Sequence, residues 1–218
     1  MIYKIKPLLL MTASCLTYTQ AKEQIDTRVG ATVEIVSGDA HVKAEEDDPI
    51  PLTKGQQIKD GHTVRTGKGG LVLLRLRNKG EMIIYENSSI KLKSEPQKPM
   101  QMRLVQSEGF TWSRLPKLQT HNSFLIETPA ATAGIRGTAF STKVQQGASS
   151  QFCVCEGSII IQTPKGNLTL KKGELIRAKQ GHPIEKPLSD LRFLKHPTRE
   201  TLQCLDCHQG GYNRDGKY

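Results

Sequence analysis

Two cysteines and a histidine near the C-terminus form the most chemically specific pattern in this sequence. Cys204-Leu-Asp-Cys207-His208 has the C-x-x-C-H spacing that attaches c-type haem, in which two thioethers hold the porphyrin. His208 would then be the metal ligand and bind the haem iron, and His196 is the nearest upstream candidate for a second axial ligand. The motif therefore predicts covalent haem c as a candidate cofactor.

The same residues permit two other interpretations. The segment that follows His208 contains no methionine and offers little apolar surface to surround a haem. In an oxidising compartment, Cys204 and Cys207 could instead form a disulfide with each other or with a cysteine of the preceding strands. A Zn²⁺ site that uses both cysteines, His208 and one further ligand is the third alternative. All three interpretations stay open at this point.

A second pair of cysteines lies further upstream. Cys153 and Cys155 are two residues apart in a predicted strand, so both side chains face the same side of it. That geometry is poorly suited to a disulfide between the two. They are therefore either small buried apolar residues or partners for other cysteines.

The first residues have the outline of an export signal. Residues 1–21 combine two lysines, an apolar stretch and the small residues Thr19 and Ala21, which together predict a cleaved signal peptide. A short linker, residues 22–30, would follow. Alternatively, the segment that ends at Cys15 loosely resembles a lipobox, which would place a lipid anchor on that cysteine. No later segment reaches the ~20 apolar residues of a membrane span, so we expect a periplasmic or secreted protein.

Composition indicates the fold class. The 218 residues are 36% hydrophobic and 5% aromatic, with 19 glycines and 11 prolines, which is typical of many turns and few long helices. The formal net charge of +10 could attract anionic surfaces or polymers, but lysines scattered over solvent-facing strand positions explain it equally well, and we favour that interpretation. So few aromatic side chains cannot form a stacking platform for nucleic acid, and we expect no nucleic-acid partner.

Hydrophobic periodicity predicts an all-β main domain over residues 31–180. Short β-branched runs alternate there with glycine-containing turns, and in the run after Gly70 we expect Leu74 and Leu76 to face inward. The predicted strands are Thr32–Val36, His41–Ala44, Gln57–Lys59, Thr63–Arg65, Leu71–Arg77, Glu81–Tyr85, Ser89–Leu92, Gln101–Glu108, Gly109–Ser113, Phe124–Thr128, Thr138–Val144, Gln151–Glu156, Ser158–Thr163, Asn167–Leu170 and Glu174–Ala178. Residues 181–218 form a mostly irregular C-terminal extension, expected to pack poorly, with one short helix near Leu188–Leu194.

Catalytic patterns are missing from the sequence. It contains no G-x-S-x-G elbow, phosphate-binding loop or H-E-x-x-H pattern. His62, His121 and His182 are far apart at turn-like positions, where we expect solvated side chains. The acidic run 45–48 lacks the staggered ligands and the glycine of a Ca²⁺ loop. We therefore expect a protein that is not an enzyme.

Several ordered segments carry a resemblance to a known family. They are Val36-Ser-Gly-Asp-Ala-His-Val42, Leu52–Gly67, Leu71–Leu76, Glu86–Ile90, Val105–Trp112, Thr128-Pro-Ala, Arg136–Phe140, Val154–Ile159 and Leu170–Glu174. In this order they resemble the FecR domain, with His62 where that family usually has an aspartate.

The resemblance implies a β-solenoid-like or sandwich-like stack of short antiparallel strands that senses, scaffolds or binds rather than catalyses. Its partner would be another envelope protein or an unknown ligand. FecR-domain proteins that regulate sigma factors carry a cytoplasmic segment and a membrane helix before this domain. Because a signal peptide is predicted in that place here, the resemblance implies a secreted binding or scaffolding module.

The most diagnostic part of the resemblance is the run 128–140, which is rich in small residues. The signature positions are Thr128, Pro129, Arg136, Gly137 and Thr138. Proline fixes one backbone angle and glycine permits turns that other residues resist, so the run predicts a loop where the chain crosses between strands. We expect Arg136 to act there as a structural pin that donates to carbonyl or carboxylate oxygens.

Overall fold

The computed structural model describes residues 29–95, 98–117, 123–145 and 149–188, and this part of the protein consists of strands and turns. The strands are β1 (Val29–Ser37), β2 (Ala40–Lys43), β3 (Ile50–Pro51), β4 (Gln57–Lys59), β5 (Thr63–Thr66), β6 (Leu71–Leu76), β7 (Glu81–Ile84), β8 (Ser88–Glu95), β9 (Lys98–Arg114), β10 (Ser123–Glu127), β11 (Thr132–Ile135), β12 (Ala139–Gln145), β13 (Ser149–Glu156), β14 (Ser158–Thr163), β15 (Gly166–Lys171) and β16 (Leu175–Lys179). Within these ranges there is no helix that could cross a membrane.

The strands form two sheets that share the long strand β9. Sheet I has the order β4-β1-β6-β7-β9-β12-β13-β16, and sheet II has the order β3-β2-β5-β8-β9-β10-β11-β14-β15. Neighbouring strands are antiparallel, except that β10 runs parallel to β9. The strands otherwise form the antiparallel stack expected from the sequence, and this one parallel pairing is the exception.

One hydrophobic core lies between the two sheets. Alternate residues point inward, so Leu74 and Phe140 of sheet I join Leu104 and Phe124 of sheet II in a single buried cluster. Each such side chain contributes about 1.5–3 kcal/mol by leaving water. The sequence predicted an all-β, solenoid-like or sandwich-like stack of strands. The all-β fold is confirmed, and so is the inward orientation of Leu74 and Leu76.

A bend in β9 allows this strand to serve both sheets. Up to Glu108 it pairs with β8, and from Gly109 onward it pairs with β12. Gly109 has a φ of 85°, and a Cβ atom there would lie 2.4 Å from the Cα atom of Ser88. Only glycine fits this position, since other residues are strained at positive φ and would collide with backbone.

Buried hydrogen bonds hold the bend in place. The fully buried amide of Gln106 donates to the carbonyl oxygens of Gly109 (3.0 Å) and Thr142 (3.2 Å). The Thr111 hydroxyl donates to the Gln106 side-chain oxygen at 3.0 Å. Because buried polar groups are costly when unpaired, this network favours a single geometry for the bend.

The sequence analysis did not predict two of the strands. The short β3 was not among the predicted strands, and β11 lies inside the run 128–140 that was predicted as loop. Small side chains concealed β11, although Ala133 and Ile135 alternate into the core as a strand requires. The two strands predicted on either side of Gly109 are one continuous strand. The glycine bends this strand, and the strand continues on both sides of it.

The beginning of the C-terminal extension also differs from the expectation. Ile184 packs against the core, and Leu188 forms an antiparallel bridge with Leu175 of β16. Poor packing is therefore wrong for residues 184–188, since an apolar side chain and paired backbone groups tie them to the domain. The short helix expected near Leu188–Leu194 lies outside the described residues beyond its first position.

The bend predicts a large difference between two glycine substitutions. Gly55 has a φ of 83°, and a Cβ atom there would meet no other atom within 4 Å, so Gly55→Ala introduces strain alone, about 1–2 kcal/mol. Gly109→Ala adds a collision with Ser88 to the same strain and should cost more than about 3 kcal/mol. Urea unfolding of both variants measures the difference, and equal losses would contradict the collision.

Candidate functional site

The signature Arg136-Gly137-Thr138 forms the corner at which the chain passes from sheet II to sheet I. It joins β11 of sheet II to β12 of sheet I. Gly137 has a φ of 66°, and a Cβ atom there would lie 3.1 Å from the Cα atom of Lys117. The crossover expected for this run is therefore confirmed, and close backbone approach explains the glycine.

Hydrogen bonds of the buried Thr138 hold the corner in place. Its side chain is 1% exposed, and its hydroxyl donates to the carbonyl oxygen of Ser158 at 2.9 Å. Its own carbonyl accepts a hydrogen bond from the Leu115 amide at 3.0 Å. The threonine thus joins the corner to β14 and to the end of β9.

The other signature residues have different surroundings. Thr128 closes the turn between β10 and β11, where its hydroxyl donates to the Ala131 carbonyl at 2.8 Å and Pro129 is exposed. The Arg136 side chain is exposed. Its expected role as a structural pin stays a prediction.

A charged cleft lies beside the corner, with a volume of about 400 Å³. It is lined by Lys79, Glu81, Arg114, Leu115, Pro116, Lys117, Gly137, Thr138, Ala139 and Glu156. Three cations and two carboxylates face the same space, and the lining holds neither histidine nor cysteine. Such a wall can form ion pairs with a ligand that carries both signs of charge.

An apolar row crosses the outer face of sheet I next to this cleft. Leu73, Ile83 and Trp112 are directly opposite one another on neighbouring strands and form a cluster separate from the main core. The Arg114 guanidinium lies 5.5 Å from the Trp112 ring centroid. This cluster, here named the outer row, was missed by the sequence analysis. Its signal was the unbroken apolar run 71–74, which indicates a strand buried on both faces.

Ion pairs border the outer row. Arg75 donates to Glu34 at 2.6 Å and to Glu81 at 2.8 Å, and these carboxylates raise the pKa of its guanidinium. Arg75, Glu81 and Arg114 are directly opposite one another, in the register next to the outer row. The outer face of sheet I thus places a charged row beside an apolar one.

The row of opposed residues continues to the cysteines of β13. Trp112 of β9 is paired with Ser141 of β12. Ser141 is also paired with Cys153 of β13, and Cys153 is paired with Leu175 of β16. Cys153 is a buried thiol, whereas Cys155 is disulfide-bonded and packs against the outer row. Both cysteines lie on the outer face, as their spacing predicted, and they are not bonded to each other.

The remaining chemical candidates fall outside the described part of the chain. Cys204, Cys207, His208 and His196 all do so, and covalent haem stays a prediction of the sequence. His121 also lies outside it. His182 is exposed, as expected.

His62 is less solvated than expected. Its Nδ1 atom is buried and has no hydrogen-bond partner within the described residues. Burial lowers the pKa of this imidazole, and the nearby Lys59 lowers it further, while Asp47 and Asp60 partly offset the effect. The folded protein therefore favours the neutral ring. Loss of hydration on the turn between β4 and β5 explains the difference from the expectation.

Comparison with known proteins supports the family resemblance. A profile of the FecR protein family matches residues 62–160, which include the bend, the corner and the outer row. The region of the chain that matches is shorter than the resemblance noted from Val36 to Glu174. The class that fold and sequence define is thus an all-β protein with a FecR-type region.

Two crystal structures share the fold, and both are of candidate anti-sigma factors from Parabacteroides distasonis ATCC 8503. The first, at 2.50 Å resolution, has a TM-score of 0.52 and 16% identity, over 61% of this chain and 62% of that one. The second, at 1.65 Å, has a TM-score of 0.52 and 13% identity, over 68% and 74% of the two chains. At these identities the likeness shows the fold alone. No curated protein matches the chain.

The corner predicts opposite effects for two buried threonines of the same region. Thr138→Val removes a hydroxyl that donates to Ser158 and should lower the free energy of unfolding by about 1–2 kcal/mol. Thr142 is equally buried, but its hydroxyl has no partner within the described residues, so Thr142→Val should be neutral or stabilising. Thermal and urea unfolding test both variants. A Thr138→Val variant with an unchanged free energy of unfolding would contradict the proposed role of Thr138 in holding the corner.

The lowered pKa of His62 predicts acid sensitivity. The unfolded chain takes up a proton near its ordinary pKa of about 6.5, whereas the folded state resists protonation to lower pH. Stability from this residue is therefore complete above about pH 6.5 and is lost as the pH falls through the folded pKa. His62→Gln should lose less unfolding free energy between about pH 7.5 and 5.5 than the parent. The exposed His182→Gln serves as control, and identical losses in all three proteins would contradict the assignment.

Proposed function

We propose that the protein is a periplasmic or secreted, non-catalytic sensing or binding module that binds another envelope protein. The charged cleft beside the Arg136-Gly137-Thr138 corner carries this proposal. It lies within the region matched by the FecR family and contains both cations and carboxylates. A protein partner can present both complementary signs at once, which favours specific association over simple anion binding.

The neighbourhood of the cleft supports a protein partner. Arg114 lines the cleft and is exposed, and arginine is enriched at the energetic centres of protein interfaces. Glu81 is already oriented by Arg75 at 2.8 Å. A preorganised carboxylate loses less side-chain entropy on binding, which favours affinity.

Similarity to candidate anti-sigma factors supports a place in signalling. The neighbours bear that description, and this chain shares their fold. We infer a regulatory rather than a catalytic role, in which the protein binds a partner or releases it. The signal peptide predicted for residues 1–21 supports export.

Site-specific photo-crosslinking in cells tests this function. A photoreactive residue in place of Lys117, at the cleft, should give a discrete protein adduct, whereas one in place of the exposed Thr169 on the outer face of sheet II should not. Arg114→Glu should reduce the adduct by at least about tenfold, equivalent to about 1.4 kcal/mol. An adduct of equal strength at both positions, or one indifferent to Arg114→Glu, would count against the cleft.

Covalent haem is the second candidate function, favoured by the Cys204-Leu-Asp-Cys207-His208 motif alone. When bound, haem would supply redox or ligand-sensing chemistry, with His208 as iron ligand and His196 as a second axial candidate. Co-expression with a haem-attachment system provides the test. A Soret band that survives acid-acetone extraction, and disappears in Cys204→Ser with Cys207→Ser, would support it. Protein without such a band, with both cysteines intact, would exclude it.

A further inference from the structure

One line of directly paired residues leads across sheet I into the charged cleft. Arg75 is paired with Glu81, and Glu81 with Arg114. Arg114 is in turn paired with Ala139, and Ala139 with Glu156. The charges alternate in sign as far as Arg114, and the small Ala139 then interrupts them. Within the cleft, Ala139 therefore separates a cation on one side from a carboxylate on the other.

Part of the charge in the cleft is already neutralised, and the rest faces solvent. Glu81 accepts a hydrogen bond from Arg75 at 2.8 Å. The other charged side chains of the lining are exposed, and they are Lys79, Arg114, Lys117 and Glu156. Within the described ranges none of these four forms an ion pair. Three cations against one carboxylate leave a net charge of +2 for a ligand to complement.

The sheet holds the two signs of charge apart. Arg114 ends β9 and Glu156 ends β13, and β12 lies between these strands. The two backbones are therefore two strand spacings apart, about 10 Å at ~4.8 Å each. Between them the lining contains Ala139, which is 3% exposed, and Gly137, which has no side chain. These small residues let the backbone of a bound segment come close to the sheet.

The pattern of signs discriminates between classes of ligand. A simple anion is attracted by the three cations but repelled by Glu156. A second copy of this chain would bring the same net charge of +2 against the lining, and the whole chain carries +10, so like charges oppose self-association through the cleft. A mainly acidic segment of another protein that contains one cation complements both sides of the cleft.

We propose, resting on the function proposed above, that the cleft binds an extended acidic segment of the partner that also carries one lysine or arginine. A carboxylate of the segment contacts Arg114 and the neighbouring lysines, and the ammonium or guanidinium group contacts Glu156. In a polyproline II segment, side chains three residues apart lie on the same side at about 9.3 Å, which matches the separation of the two charges. Both contacts are charge-assisted hydrogen bonds.

Blocked tetrapeptides test both contacts on the purified, exported protein. Acetylated and amidated Asp-Ala-Ala-Lys and its reverse, Lys-Ala-Ala-Asp, carry both signs, whereas Lys-Ala-Ala-Lys carries positive charge alone. Titration at low salt, followed by amide NMR, should shift the resonances of Gly137 and Ala139. One mixed peptide should bind with a Kd at least about fivefold lower than that of Lys-Ala-Ala-Lys, equivalent to about 1 kcal/mol. No shift with either mixed peptide, or equal or tighter binding of Lys-Ala-Ala-Lys, would overturn the proposal.

Charge reversal at Glu156 should invert the preference. Glu156→Lys should weaken binding of the mixed peptide at least about fivefold and strengthen binding of Asp-Ala-Ala-Asp by a similar factor, because a cation replaces the carboxylate. The matched control Glu185→Lys makes the same change in net charge at an exposed residue outside the lining, and it should leave both Kd values unchanged. Equal effects of the two variants would show a general effect of charge and contradict the contact with Glu156.

The photo-crosslink in cells separates this proposal from the proposed function. A discrete adduct at Lys117 that is lost in Arg114→Glu and in Glu156→Lys, but retained in Glu185→Lys, supports both. An adduct that depends on Arg114 and not on Glu156 would leave the proposed function standing and overturn the acidic segment with its one cation. Binding of a mixed peptide without any adduct in cells would refute the proposed function and support the peptide chemistry of the cleft. An adduct of twice the mass of the chain would identify a second copy as the occupant and overturn the acidic segment.

Discussion

The bend of β9 at Gly109 is the constraint on which both sheets depend. One strand supplies ladder hydrogen bonds to sheet II before the glycine and to sheet I after it, so its turn fixes how the two inner faces meet. A glycine supplies the backbone angle, and the buried Gln106 side chain supplies the hydrogen bonds. Since hydrophobic burial has no preferred direction, these polar contacts give the core its specific arrangement.

At the corner, as at the bend, a close backbone contact requires glycine. A Cβ atom on Gly157 would lie 2.8 Å from the carbonyl oxygen of Gly137, so the corner and the β13–β14 turn approach each other closely. Thr138 then fastens the approach by donating to Ser158. The charged cleft is a product of this close packing, because it brings Glu156 and Lys117 to the same opening. The residues Arg136-Gly137-Thr138 therefore build the site mainly by shaping the backbone.

How far the sequence predicted the structure depended on how each strand is buried. Alternation at Leu74 and Leu76 correctly gave the inner face, because a polar residue separates the two. It failed for Leu73, whose strand is apolar on both faces, and for β11, whose small residues Ala133 and Gly134 carry little periodic signal. The cleft could not be predicted at all, since its charges come from segments far apart in the chain. Only the paired sheets bring them together.

The cysteines show why a short motif needs its surroundings. Cys153 and Cys155 lie two residues apart on one strand, yet Cys155 is disulfide-bonded and Cys153 is a thiol. Their surroundings differ, since Cys155 packs against the outer row and Cys153 packs with Leu175. The spacing of cysteines in a sequence therefore shows which sulfurs share a face, and only the folded neighbourhood decides which bond each sulfur forms.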